Sequence, residues 1–407
     1  MKNKFFSIFL LFVLAIFIFT SCGIGAVNNS TDAADMNKLG LYVENGKIMR
    51  HGKEYYAVGA NYFAAFYQLT VDPLSSDYIK GFKILDEYSV PYVRINMGGF
   101  GADNFELYFS NPDMYLTLMD EVVNEADKYG IGIICSIFWY FPVFADYSGE
   151  PCNAIGDVNS KTWTLMRQYI TDIVTRYKDH PAVWGWEYGN EYSLMVDVPN
   201  GIEFIPDNWV KSERQERDEN DVYITEDITT AFDEFARVVR EIDPVRMITT
   251  GNSQPRPCQW HMHHTPENPW EADTVEQAKE MLKLQHGTGC DVVSIHVYGE
   301  EPERAYGMET FEVNLKTFKD AAEEIGCPMF LGEFGYPDNF AGMEDNARET
   351  FIKQLKYIEE YQIPLSAVWN FAVRGGIEFE VNPYRAPERA YMLEMIRDLN
   401  VRLAELS

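Results

Sequence analysis

The sequence predicts an α/β fold of the (β/α)8, or TIM, barrel type. Three observations carry this expectation. Eight short apolar runs recur along the chain, amphipathic helical patterns separate most of them, and no glycine-rich phosphate loop follows the first. The last point argues against an open, doubly wound sheet built around a nucleotide.

Ahead of the barrel, Leu41-Tyr42-Val43 and Lys47-Ile48-Met49 flank Glu44-Asn45-Gly46. Asn-Gly between short apolar runs signals an N-terminal β-hairpin. The first barrel strand is expected at 55–59, followed by a helix with Ile79, Phe82 and Leu85 on one face. Residues 90–95 form the second strand, then Leu118, Val122, Ala126 and Tyr129 share a helical face that Gly130 ends. The third strand is 131–137, ahead of a helix carrying Met166, Ile170, Ile173 and Tyr177. The fourth is 183–188, ahead of the stripe Ile228, Phe232, Phe235, Val239 and Ile242. Residues 247–250, 292–297, 329–331 and 365–369 complete the eight. Leu315, Phe318, Ala322 and Ile325, then Phe351, Leu355 and Ile358, mark helices between the last strands, and a closing helix runs through Leu393 and Ile396. Two connections exceed the usual few residues: 192 to about 223 after strand four, and 252 to about 291 after strand five. Both leave carboxyl ends of strands, the face on which barrels carry their sites.

The chain opens on Lys2 and Lys4, an apolar run over 5–19, and Thr20-Ser21-Cys22. A basic start, a short apolar stretch and small residues before a cut describe a signal peptide. The position of Cys22 resembles the lipobox of bacterial lipoproteins, with Phe19 where that pattern usually has Leu. The resemblance implies a leader over 1–21 and lipidation of Cys22; the small, polar, aperiodic stretch that follows reads as a flexible tether over 22–39, with a single domain over 40–407. It also implies anchoring at the bacterial cell envelope, on the outer membrane, with no other contact with lipid.

A formal net charge of −29 argues against nucleic acid and anionic polysaccharides as partners and favours a neutral substrate. Beyond Cys22 the cysteines are Cys135, Cys152, Cys258, Cys290 and Cys327, odd in number and without a CxxC pair. Neither a disulfide framework nor a cysteine metal site is suggested.

Two acidic residues end strands on nearly opposite walls of the expected barrel. Glu191 closes Trp184-Gly185-Trp186-Glu187-Tyr188-Gly189-Asn190-Glu191 after strand four, and Glu333 lies in Phe330-Leu331-Gly332-Glu333-Phe334-Gly335 after strand seven. Two carboxyl groups facing across one bond are what glycoside hydrolysis needs, one to protonate the leaving oxygen and one to attack or activate water.

With Arg94 in Val93-Arg94-Ile95, His296-Val297-Tyr298 after strand six and Trp369 on strand eight, the chain resembles clan A retaining glycoside hydrolases. It is most similar to family 5, the cellulase and mannanase family, from about Gly40 to the C-terminus. The resemblance implies Glu191 as acid/base, Glu333 as nucleophile, and cleavage of a neutral β-1,4-linked glucan or mannan through a covalent glycosyl-enzyme. It implies that Arg94 favours the Glu333 charge, that Tyr298 bonds Glu333, that Asn190 reads the sugar 2-hydroxyl, and that Trp369 floors the sugar ring. Arg94, Asn61, Asn190, His296, Tyr298 and Trp369 are accordingly counted with the substrate-binding residues. Many members carry a histidine just after strand three; here Ser136-Ile137-Phe138-Trp139 stands instead, which leaves mannanase-like and divergent subfamilies as open as cellulase. Trp139 is then a candidate sugar platform, as are the loop residues Trp209, Trp260 and Trp270.

Glu187 lies on strand four itself and reads as structural, and His180 as a helix-end residue away from the chemistry. The run Trp260-His261-Met262-His263-His264 could bind zinc or copper, but no Asp, Glu or Cys at ligand spacing stands beside it. No metal and no cofactor are expected. Two rivals remain: an exo-acting β-glycosidase of the same clan, and a non-catalytic glycan-binding lipoprotein.

Overall fold

The computed structural model describes residues 38–139, 142–209, 211–214, 216–299, 310–337, 346–372 and 377–406. The expected leader, Cys22 and all but the last two residues of the tether lie outside them.

The chain starts in a small antiparallel sheet, β1 (Tyr42–Glu44), β2 (Lys47–Arg50) and β3 (Lys53–Glu54). Asn45 and Gly46 both take positive φ, 53° and 73°, as a two-residue hairpin turn requires. This sheet closes the bottom of the barrel. Leu41 donates its N–H to the Trp184 carbonyl and accepts from the Met247 N–H. Leu41 and Ile48 bury against Tyr92, Ile134, Trp184 and Phe330.

Eight parallel strands follow: β4 (Ala57–Asn61), β5 (Tyr92–Asn96), β6 (Gly132–Phe138), β7 (Val183–Gly189), β8 (Met247–Thr249), β9 (Val293–His296), β10 (Met329–Phe334) and β11 (Leu365–Val368). They pair in chain order, with β11 beside β4. A bridge between Thr249 and Val292, reinforced by the Thr249 hydroxyl on the Val292 carbonyl at 3.0 Å, closes the ring between β8 and β9. The expected (β/α)8 barrel is the observed architecture.

The helices form the outer layer: α1 (Ala64–Val71), α2 (Asp77–Glu87), α3 (Ala102–Ser110), α4 (Pro112–Lys128), α5 (Pro142–Ser148), α6 (Lys161–Tyr177), α7 (Thr225–Ile242), α8 (Gln259–His264), α9 (Val275–Leu284), α10 (Phe311–Ile325), α11 (Ala347–Glu360) and α12 (Ala390–Leu403). The first barrel strand, Ala57–Asn61, lies two residues later than expected, and two further details differ. The inward face of α2 runs through Tyr78, Phe82 and Leu85, which leaves Ile79 exposed; the Tyr78 hydroxyl reaches Glu121 on α4 and fixes that rotation. The connection after the fifth barrel strand is not one long loop but holds α8 and α9. Helix α9 begins on a reciprocal cap between Thr274 and Gln277, and its buried stripe of Ala278, Met281 and Leu282 is too short to stand out in sequence.

Candidate active site

The site is built at the carboxyl ends of the barrel strands, around Arg94 on β5. This guanidinium is fully buried, and every one of its N–H groups is committed. Nε donates to Glu187 at 2.7 Å, Nη1 to Glu333 at 2.8 Å and Asn61 at 3.2 Å, and Nη2 to Asn190 at 2.9 Å and the Gly189 carbonyl at 3.3 Å. Arg94 therefore orients the pair of strand ends that carry the glutamates and has no donor left for a sugar. Glu187, fully buried on β7, neutralises it from below, the structural role expected.

Glu333 is aimed inward by a register irregularity: Leu331 pairs with Ile295 and Glu333 with His296, so Gly332 is the extra residue of a bulge. Gly332 also has to be small, because a Cβ there would sit 2.8 Å from His296 Nε2. The Glu333 carboxyl accepts from Arg94 on one oxygen and from the Tyr298 hydroxyl, in a short bond, on the other. Gln354 on α11 locks this corner, donating to the Tyr298 carbonyl at 2.8 Å and the Gly335 carbonyl at 2.9 Å.

Glu191 sits just past β7 in the left-handed region, φ 55° and ψ 30°. For a non-glycine residue this costs of order 1–3 kcal/mol. Its N–H donates to the Gly251 carbonyl at 2.9 Å, and its own carbonyl accepts from Leu194, which together hold the turn. Gly251 (φ 74°) must be glycine, since a Cβ there would lie 1.9 Å from the Gly189 carbonyl oxygen. The buried His296 bridges the two acids, with Nδ1 2.9 Å from Glu191 and 3.6 Å from Glu333. One carboxylate oxygen of each acid lies within 4.8 Å of the other. Burial pushes the Glu333 carboxyl above the usual carboxylate range and Glu191 adds to the push; His296, Arg94 and the Tyr298 hydrogen bond pull it back only in part.

The structure brings Glu191, Glu333, Arg94, Asn190, His296 and Tyr298 together and assigns some of them different work from that expected. Asn61 is fully buried, accepts from Arg94 and donates to backbone carbonyls of β10 and β11, so it braces the scaffold. Arg94 and His296, equally buried, position the acids. Asn190 is half-buried, accepts from Arg94 on Oδ1 and keeps its NH2 end uncommitted among the described residues. Trp369 and Trp139 are half-buried and nearly parallel, 6.5 Å apart at 11°, and form one aromatic wall. Phe63, which the sequence did not single out, wedges behind both rings at 5.3 and 4.2 Å and lies under the Arg94 guanidinium at 4.9 Å. Its Phe-Ala-Ala-Phe setting reads as helix core and carries no other signal.

Trp260 is not part of this assembly. Its indole N–H bonds Glu280 on α9 and its ring stacks on His264, so it belongs to the helical layer beyond β8. Trp209 bonds Asp103 and packs on Tyr147, and Trp270 is exposed.

A (β/α)8 barrel with two facing carboxylates at the carboxyl ends of its fourth and seventh strands has the site of a glycosidase-type barrel protein. The chain belongs to glycosyl hydrolase family 5: residues 82–374 match the family model described as Cellulase (glycosyl hydrolase family 5). It is 30% identical over 238 residues to mannan endo-1,4-beta-mannosidase F of Aspergillus clavatus, covering 56% of this chain and 46% of the relative. It is 24% identical over 314 residues to mannan endo-1,4-beta-mannosidase 8 of Oryza sativa subsp. japonica, covering 69% and 72%. The match spans about half the length of the Aspergillus clavatus relative and of a second one from Aspergillus terreus. Among solved structures, a family 5 mannosidase from Rhizomucor miehei aligns with TM-score 0.62 at 12% identity, over 92% of this chain and 100% of its own. An endoglucanase from Pseudomonas stutzeri aligns at 0.51 and 17%, over 84% and 97%. These likenesses are to the barrel.

Proposed function

We propose that the protein is a retaining glycoside hydrolase acting on the neutral backbone of a β-1,4-mannan or related glucan. The observation that carries this reading is the closeness of the acids: a carboxylate oxygen of each lies within 4.8 Å of the other, nearer the roughly 5–5.5 Å spacing of retaining enzymes than the roughly 6.5–9.5 Å of inverting ones. In this reading Glu333, with hydrogen bonds from Arg94 and Tyr298 to its two oxygens, is the ionised nucleophile that bonds the anomeric carbon. Glu191 protonates the leaving oxygen, then deprotonates the water that releases the sugar. The free amide end of Asn190 bonds the 2-hydroxyl as the oxocarbenium-like state forms. The aromatic wall of Trp139 and Trp369 takes the apolar faces of the sugar rings. Mannan is favoured over glucan because the curated relatives named above carry endo-mannosidase names.

The same proposal places the enzyme at the bacterial cell envelope, lipidated on Cys22, on the strength of the basic, apolar and small-residue pattern of 1–22. The deciding test of activity is product analysis on a panel of β-mannan, β-glucan, xylan and aryl glycosides. Internal cleavage of mannan into mixed oligosaccharides is expected. Release of single sugars from chain ends alone would favour the exo-acting reading, and binding without any release the non-catalytic one.

A further inference from the structure

The barrel wall is least continuous between β8 and β9, which meet, among the described residues, in the single bridge of Thr249 and Val292. Glu191 stands past β7 on one side of this seam, and its partner His296 ends β9 on the other. The turn that leaves β8, Thr250-Gly251-Asn252-Ser253, ties the two sides together. Toward the acid, three alternate residues donate their N–H groups into it. Gly189 reaches the Thr250 carbonyl at 3.2 Å, Glu191 the Gly251 carbonyl at 2.9 Å, and Ser193 the side-chain oxygen of Asn252 at 3.1 Å. Toward β9, the Ser294 hydroxyl donates to the Asn252 carbonyl at 3.1 Å, and the Ser253 hydroxyl to the His296 carbonyl at 3.5 Å.

The third rung of this ladder is a side chain, because the Asn252 carbonyl is turned to Ser294 instead. The amide nitrogen of Asn252 donates to the Gln285 carbonyl at 3.1 Å. Gln285 caps the C-terminal end of α9, where carbonyls lack partners within the helix. An N–H only donates and a carbonyl only accepts, so these two neighbours fix which way the amide faces. Asn252, Ser193, Ser253 and Ser294 are all buried, which makes each of these bonds costly to lose. Glu191 needs such support, since a non-glycine residue stays in the left-handed region only where its surroundings over-determine it.

We propose that Asn252 is a positioning residue for the hydrolysis. Its amide spans the Ser193 N–H and the Gln285 carbonyl, holds Glu191 in its left-handed turn, and so sets the reach of that carboxyl toward His296 and the leaving oxygen. The inference rests on the proposed acid/base role of Glu191. Asn252 acts on the acid through the backbone of the turn and takes no part in bond cleavage. Without its amide the turn keeps fewer restraints, so steps that need proton transfer from or to Glu191 slow, and steps that do not are spared.

The test compares wild-type enzyme, Asn252→Ala, Glu191→Ala and the double variant on aryl glycosides of graded leaving-group ability. Asn252→Ala is expected to lower kcat/KM about 10–10²-fold on poor leaving groups, up to the loss that a misplacement of about 1 Å brings, and to leave a dinitrophenyl glycoside within about twofold. In the Glu191→Ala background the same change should cost nothing further, as for two residues that act through one group. Ser294→Ala removes only the hydroxyl on the Asn252 carbonyl; it should repeat the pattern more weakly and serves if Asn252→Ala does not fold. Ile396→Val, a core change on α12, should lower Tm with no dependence on the leaving group. A loss of equal size on every leaving group, or an equal loss with and without Glu191, overturns the proposal. So do unchanged rates in both Asn252→Ala and Ser294→Ala. Should Glu191→Ala itself show no dependence on the leaving group, the acid/base reading fails, and this inference with it.

Discussion

The Arg94 Nη1 donates a 2.8 Å hydrogen bond to Glu333 Oε1, and the same guanidinium holds Asn61, Asn190, Glu187 and the Gly189 carbonyl. The nucleophile is thus tied to the strand end that carries the opposing acid, through one side chain that never reaches solvent. A planar five-donor fork can do this and an ammonium cannot.

Arg94→Lys is therefore expected to lower kcat/KM by about 10²–10³-fold, the usual cost of losing one preorganised donor of this kind, with little change in KM. With the Arg94 contact weakened, Glu333 should titrate at higher pH, so the acidic limb of the kcat/KM profile should move upward. Steady-state kinetics across pH checks both. An unchanged acidic limb would separate the two groups functionally.

Much of this site was legible in the sequence because it depends on local order. Glu191 and Glu333 end strands whose apolar runs are unambiguous, and the strand positions follow from those runs. The roles of Arg94, Asn61 and His296 were not legible as they stand. Whether a polar side chain faces a sugar or a neighbouring strand is settled by burial, which emerges only when β4, β5, β9 and β10 close into a ring. Gly251 gave no signal either, because the space for a Cβ there is taken by the Gly189 carbonyl at the end of the neighbouring strand β7.

Gly251→Ala tests that constraint. A left-handed conformation costs a non-glycine residue roughly 1–2 kcal/mol, and the contact with the Gly189 oxygen adds a steric term. A stability loss of about 2 kcal/mol or more is expected in denaturant titration. Glu191, whose N–H bonds the Gly251 carbonyl, should lose its position, so slow aryl glycosides should suffer more than activated ones.

His286, between α9 and β9, gives a pH signature. Burial pushes its imidazole down to about 4 from an ordinary 6.5. Below 6.5 the unfolded chain takes up a proton that the folded chain refuses, so folding stability falls as pH drops from 6.5 and levels off near 4. The full loss is about 3 kcal/mol, at 1.36 kcal/mol per pH unit. His286→Gln should be flatter than wild type over that window in unfolding free energy. Parallel curves for the two proteins would remove His286 as the cause.

The envelope proposal rests on Cys22. Wild-type protein expressed with its full N-terminus is expected in the membrane fraction, with a lipid mass on a peptide starting at Cys22. Cys22→Ala should release soluble enzyme of unchanged kcat, since the barrel begins well past the tether. A soluble wild-type protein starting at another residue would show that the leader is of an ordinary kind.

The two glutamates should fail in different ways, and the difference assigns them. Glu333→Ala removes the group that bonds the sugar, so turnover should fall by several orders of magnitude on every substrate. Azide fits the space the carboxylate vacates and attacks from the same side, so it should restore cleavage of an activated aryl glycoside and give a glycosyl azide of inverted configuration. Glu191→Ala leaves the nucleophile in place. A good leaving group needs little protonation, so the glycosyl-enzyme still forms while water, without a base, breaks it down slowly. Azide needs no base; it should speed that second step and give a product of retained configuration. NMR of the first sugar released by the wild-type enzyme fixes the outcome of the complete reaction. Two inversions, one at Glu333 and one by water, return the original anomer. An initially inverted product would mean that water attacks directly, and Glu333 would then be a base rather than a nucleophile.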